Sequence, residues 1–287
     1  MRWRDGRQSD NIEDRRGMSI SRGTKIGGVS GLGLVAVVVI SMFFGIDPTV
    51  LLQGGPEIES PSVSVPRSGP PTVNDDLRNF VAVVLGDTED VWREAFQKMG
   101  RTYQEPRLVL FSGAVDSACG MAGSATGPFY CPPDHKVYLD LSFFEELRTR
   151  FGASGDFAQA YVIAHEVGHH VQTLLGISKK VGELQARTNP SERNKLSVRM
   201  ELQADCLAGV WANQAHKRRQ ILEAGDIEEG LNAASAIGDD RIQRETRGYV
   251  VPDAFTHGSA AQRVRWFKLG LQGGDIQTCD TFNAVRL

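Results

Sequence analysis

The residues with the clearest chemical potential are His165 and His169, with Glu166 beside the first of them, in the stretch YVIAHEVGHHVQ at 161–172. Positions i and i+4 of an α-helix share a face, so both imidazoles can point at one divalent ion. Two imidazole nitrogens at that spacing suit Zn²⁺, and the adjacent carboxylate suits a general base acting on a water at the metal. A catalytic site of this kind needs a third protein ligand from outside the first helix. Glu201 is the leading candidate, far enough along the chain for a second helix to turn back alongside the first. Glu183, Glu192 and Asp205 compete for the position. Asp205 lies one helical turn after Glu201, on the same face, where it can accept the outer N–H of a ligand histidine and fix its tautomer. His170 lies about 140° around the helix from His165 and is not expected to share the ion.

Periodicity supplies the elements that must hold these groups. Phe157, Ala160, Tyr161, Ala164, Gly168, Val171 and Leu175 recur at three- and four-residue steps, predicting a helix with Asp156 as N-cap and Gly176 as its stop. Val198 to Ala215 reads as a second amphipathic helix, carrying Glu201 and Asp205. Upstream, Leu77 to Met99 is helical in pattern, with a break expected at Gly86-Asp87. Arg107–Phe111 and Lys136–Asp140 read as strands, and a short helix starts at a Ser142 cap. Residues 178–197 read as a connecting loop, with Pro190 starting the next helix. Residues 228–237 form another helix, a break and polar loop run over 238–247, and a last helix spans 260–271. The expected fold class is α+β: a mostly helical domain with a small β-sheet, preceded by one transmembrane helix.

The chain has 287 residues, 41% hydrophobic and 23% charged, an ordinary globular balance. Its net charge of −3 gives no basis for binding nucleic acid. Residues 1–25 hold seven Arg and Lys against four Asp and Glu, a net +3 that reads as a cytoplasmic basic tail. Residues 26–46 carry no charge and are long enough to span a bilayer core of about 30 Å. No small-residue cleavage site follows at Phe43–Asp47, so the span is expected to stay as an anchor. Residues 47–75 are rich in Pro, Gly and Ser and read as a tether, leaving 76–287 as the folded domain on the extracytoplasmic side. Four cysteines in an exported domain favour pairing, with Cys119–Cys131 and Cys206–Cys279 the favoured choice among three connectivities.

H-E-x-x-H followed by a downstream E-x-x-x-D is the pattern of gluzincin metallopeptidases. HEVGHHVQ at 165–172, ELQADCLAGVWA at 201–212 and FTHGSAAQRVRWF at 255–267 together resemble the bacterial family called "putative neutral zinc metallopeptidases". The resemblance covers roughly residues 75–287 and extends to the layout of anchor, tether and zinc-peptidase-like domain. It implies a zincin-like domain at the bacterial inner membrane, with Zn²⁺ held by His165, His169 and Glu201, Glu166 as catalytic base, and a peptide or protein substrate. It points to His257 as a group that stabilises the oxyanion, with Tyr249 a weaker choice. By analogy, the Lys136–Asp140 strand is expected to be an edge that pairs with an extended peptide. The alternative is a zinc-stabilised, membrane-tethered scaffold with little turnover. Glu166 argues against it, because retaining zinc does not require that residue.

Overall fold

The computed structural model describes residues 1–18 and 75–287. In chain order the elements are β1 (Ile12–Asp14), α1 (Asp76–Lys98), β2 (Arg107–Phe111), β3 (Ala114–Ser117), β4 (Gly120–Gly123), β5 (Phe129–Cys131), β6 (Lys136–Asp140), α2 (Ser142–Thr149), α3 (Asp156–Leu174), α4 (Ile177–Gln185), α5 (Pro190–Arg219), α6 (Asp226–Ala236), α7 (Asp239–Arg247) and α8 (Ala260–Gly273). The expected mostly helical domain with a small sheet is what forms.

The sheet has strand order β1-β2-β6-β5, with β5 antiparallel to β6 and the other pairs parallel. Strand side chains alternate between faces. Leu108, Leu110, Val137 and Leu139 therefore join the main helical core, while Val109, Phe111 and Tyr138 pack with Val115 and Cys131 in a smaller cluster on the other face. The Lys136–Asp140 strand is not the expected edge. As β6 it pairs with β2 on one side and β5 on the other, and Val137–Asp140 are buried throughout.

Helix α3 is central, packed against α1, α5, α6 and strands β5 and β6. Its crossing with α5 is close because Gly168 has no side chain: a Cβ there would lie 3.1 Å from the Ala204 carbonyl oxygen. Helix α8 meets α5 more tightly still, since a Cβ on Gly270 would lie 1.9 Å from the Cys206 oxygen and one on Gly209 2.2 Å from the Phe267 oxygen. Successive contacts run in register, Gly258 at Leu202, Gly270 at Cys206 and Gly274 at Asn213. The Cys206–Cys279 disulfide ties the far end of this unit to α5, and Cys119–Cys131 joins the β3–β4 hairpin to β5.

Four local expectations change. Helix α1 runs unbroken through Gly86; the glycine instead admits the chain crossing over it, with the Arg7 carbonyl oxygen 2.4 Å from where its Cβ would be. At α2, Asp140 rather than Ser142 serves as the acceptor, taking the Ser142 backbone N–H and hydroxyl. At α3, Gly155 is the cap residue and Asp156 is the first helical residue. The polar stretches within 178–197 and 238–247 form helices α4 and α7, held by tertiary contacts that their sequence pattern does not announce.

The largest correction concerns the N-terminus. Residues 1–25 were expected on the opposite side of a membrane from the domain, but residues 1–18 are built into that domain. β1 pairs with β2, and Arg7, Ser9 and Asn11 all bond the buried Glu89 carboxylate of α1. The Met1 ammonium reaches Asp156 at 2.6 Å and Asp226 at 3.3 Å, at the starts of α3 and α6. A single span between residues 18 and 75 cannot separate two pieces of one sheet. The predicted span at 26–46 and nearly all of the tether lie outside the described residues. Among the described residues no helix is long and apolar enough to cross a membrane, so the single-pass topology and the localisation read from it do not stand.

Gly270→Ala is expected to lower stability by about 3 kcal/mol, because the added methyl must push α8 off the α5 backbone. Chemical denaturation followed by circular dichroism measures this; an unchanged midpoint would contradict the packing argument.

Candidate metal centre

Helices α3 and α5 bring His165, His169 and Glu201 together. His165 Nε2 is 3.1 Å from Glu201 Oε2, and His169 Nε2 is 3.4 Å from Glu201 Oε1. One ligand atom from each residue lies within 4.8 Å of the other two. Donors held tetrahedrally around zinc at about 2.0–2.2 Å stand roughly 3.3 Å apart, so this spacing fits a zinc-sized ion.

The outer ring nitrogens are engaged elsewhere. His165 Nδ1 is 2.8 Å from Asp205 Oδ1, and His169 Nδ1 is 2.9 Å from Gln172 Oε1. Both acceptors are fully buried and fixed. Gln172 donates to the Met200 carbonyl and to Gln203, and Asp205 receives Arg263. With Nδ1–H donated outward, each Nε2 lone pair faces the shared centre.

The site is rich in negative charge. Burial alone would push the His165 imidazole down, but Asp205 and Glu201 outweigh it and hold it up at about 10. Burial likewise opposes ionisation of Glu201, yet His169 and His257 hold its carboxyl well below the usual range. Burial pushes the Glu166 carboxyl up from its ordinary value, against the pull of His165 and His169. Two imidazoles surrounded by Glu166, Glu201 and Asp205 form an environment that a divalent cation would balance.

His257 stands on the loop between α7 and α8. Asp239 shapes that loop: its Oδ2 accepts the backbone N–H of Thr256, His257 and Gly258 at 2.7, 2.7 and 3.0 Å. Its Oδ1 lies 3.4 Å from His257 Nδ1. Gly258 takes a positive φ of 94°, which lets the loop turn into α8. Burial would lower the His257 imidazole, but Glu201 and Asp239 raise it, so its ring stands in the field of the centre. Tyr249, the other choice, is 63% exposed.

The competing ligands do not converge. Glu183 and Glu192 are exposed on α4 and the first turn of α5, and Asp205 is held by Arg263 behind the His165 ring. His170 points the other way. Its Nε2–H donates to the Gln104 carbonyl at 2.6 Å, and its Nδ1 accepts the Tyr130 hydroxyl at 3.0 Å. Burial pushes it down to about 4, so it is neutral and ties β5 to α3. A second carboxylate group, Asp156, Asp226 and Glu229, also has ligand-like spacing, but there the Met1 ammonium supplies the cation.

Sequence reasoning missed Gln172, Asp239 and Arg263. Gln172 had a signal, since it lies three residues after His169 on the same helix face. Arg263 had one too, as the lone charge among Ala260, Phe267 and Gly270 on the buried stripe of α8. Asp239 had none, because its role depends on where the 256–258 backbone folds.

The family described as "Putative neutral zinc metallopeptidase" matches residues 1–282. The chain belongs to this family. The match includes the N-terminal residues that complete the sheet. Among relatives, the chain is 50% identical over 290 residues to "Uncharacterized protein YpfJ" of Escherichia coli (strain K12), covering 98% of this chain and 99% of the relative. It is 46% identical over 226 residues to "Uncharacterized protein Mb2605" of Mycobacterium bovis, covering 74% of each. The same identity and coverage hold for "Uncharacterized protein Rv2575" of Mycobacterium tuberculosis. No solved structure matches the chain.

His170→Phe keeps the ring packed against Tyr103 and Tyr130 but removes both hydrogen bonds. It is expected to cost about 2 kcal/mol by leaving buried polar groups unpaired. Urea denaturation checks this, and a stability equal to wild type would contradict the structural role given to His170.

Proposed function

We propose that this protein is a zinc-dependent peptidase whose metal is held by His165, His169 and Glu201. The single observation that carries the reading is the convergence of these three donors, each imidazole oriented by its own buried hydrogen-bond acceptor. Zinc bound there would polarise a peptide carbonyl and lower the pKa of a nearby water toward about 7.

The protein's own groups then divide the work. Glu166, buried beside the two histidines, takes the proton of the attacking water and delivers it to the leaving amine. His257, held by Asp239 and with its imidazole raised by Glu201 and Asp239 against the effect of burial, donates to the oxyanion that develops on the carbonyl. Strand β5 is the sheet edge joined to α3, through Tyr130 and His170, and an extended peptide aligns there rather than on β6. A scaffold that only retains zinc would gain nothing from a buried carboxylate at position 166, so turnover is the better reading.

Glu166→Gln should retain zinc at wild-type stoichiometry while hydrolysis of a denatured protein falls about a thousandfold. Elemental analysis and a peptide-release assay with and without chelator measure the two. Undiminished hydrolysis in this variant would overturn the mechanism.

A further inference from the structure

Arg263 is 2% exposed, and it bonds Asp205, the carboxylate that accepts from His165 Nδ1. Its Nε donates to Asp205 Oδ2 and its Nη2 to Asp205 Oδ1, both at 2.9 Å. Nη2 also lies 3.3 Å from the Tyr161 hydroxyl, and Nη1 donates to the Ile237 carbonyl at 3.2 Å. Asp205 Oδ1 in turn accepts from His165 Nδ1 and from Tyr161. The guanidinium thus grips both oxygens of the carboxylate that orients one histidine.

Stability is a poor explanation for this arrangement. Removing an arginine and a carboxylate from water is expensive, and well-packed apolar residues often replace such a pair without loss. What apolar residues cannot do is fix the rotation of a carboxylate. A bidentate guanidinium does, because its donors lie in a rigid plane.

We propose that Arg263 is a positioning residue for the metal centre. It locks the Asp205 carboxylate so that His165 keeps its proton on Nδ1 and presents Nε2 to the ion, and it thereby sets metal affinity from beyond the ligands. This rests on the metal reading of the His165, His169 and Glu201 set. It also gives the third sequence motif two tasks, with His257 at the front of the site and Arg263 behind it.

The test is zinc affinity of the full-length protein, measured by competition with a chromogenic chelator, for wild type, Arg263→Lys, Asp205→Asn and the double variant. Near-UV circular dichroism of each metal-free protein reports folding. Arg263→Lys, which keeps the charge but loses the fork, should weaken zinc binding about tenfold, and Asp205→Asn by roughly ten- to a hundredfold. In the Asp205→Asn background the lysine substitution should add nothing, because its route to the metal is gone. Wild-type affinity in Arg263→Lys, or an unchanged effect in the Asp205→Asn background, would overturn the proposal. Absence of zinc binding by the wild type would instead overturn the metal reading beneath it. If Arg263→Lys fails to fold, Tyr161→Phe, which removes one donor to Asp205 Oδ1, is expected to weaken zinc binding severalfold. Wild-type affinity in that variant would count against the proposal.

Discussion

Asp205 carries a carboxylate with no exposure to solvent, at the junction of α3, α5 and α8. An isolated charge in that position would be strongly unfavourable. Here it is satisfied by four hydrogen bonds: two from Arg263 and one each from Tyr161 and His165. Burial would push this carboxyl up, yet Arg263 and His165 hold it down at about 2. The ionised form is therefore the resting form, and its four donors together offset the cost of burying it. Helix positions, histidine orientation and local electrostatics are all fixed by one group.

That junction exists only because the helix backbones come close. Gly168 lets α3 approach Ala204, in the turn of α5 between Glu201 and Asp205. Gly209 and Gly270 let α8 lie against α5, which carries Arg263 to Asp205. A second layer of buried polar contacts serves the other histidine, from His169 through Gln172 and Gln203 to the carbonyl of Cys279, whose disulfide returns to α5. The site is built on packed helices, and its one loop-borne group, His257, is held by the three backbone N–H bonds to Asp239. Positioning of this kind is what chemistry at a polar centre requires.

Much of the centre was legible in the sequence because helical spacing is a local property. His165 and His169 one turn apart, and Glu201 and Asp205 one turn apart, meet once two helices cross. The strands Arg107–Phe111 and Lys136–Asp140 were legible from apolar runs bounded by turns, but their order was not. Strand order is a long-range outcome: β6 lies between β2 and β5 through pairings that no local pattern announces. Residues 1–25 misled for a related reason. Arg7, Arg15 and Arg16 read as a basic flank, whereas Arg7 and Arg16 neutralise carboxylates of the domain itself, Glu89, Asp14 and Asp75. Charge counts along a chain do not reveal which charges will pair across it.

The central claim is that His165, His169 and Glu201 hold one zinc ion, and anomalous X-ray scattering at the zinc edge addresses it most directly. Crystals of the protein purified with zinc should give one dominant peak within about 2.0–2.2 Å of His165 Nε2, His169 Nε2 and a Glu201 carboxylate oxygen. A map with no peak there, or with its zinc beside Asp156, Asp226 and Glu229 instead, would contradict the account.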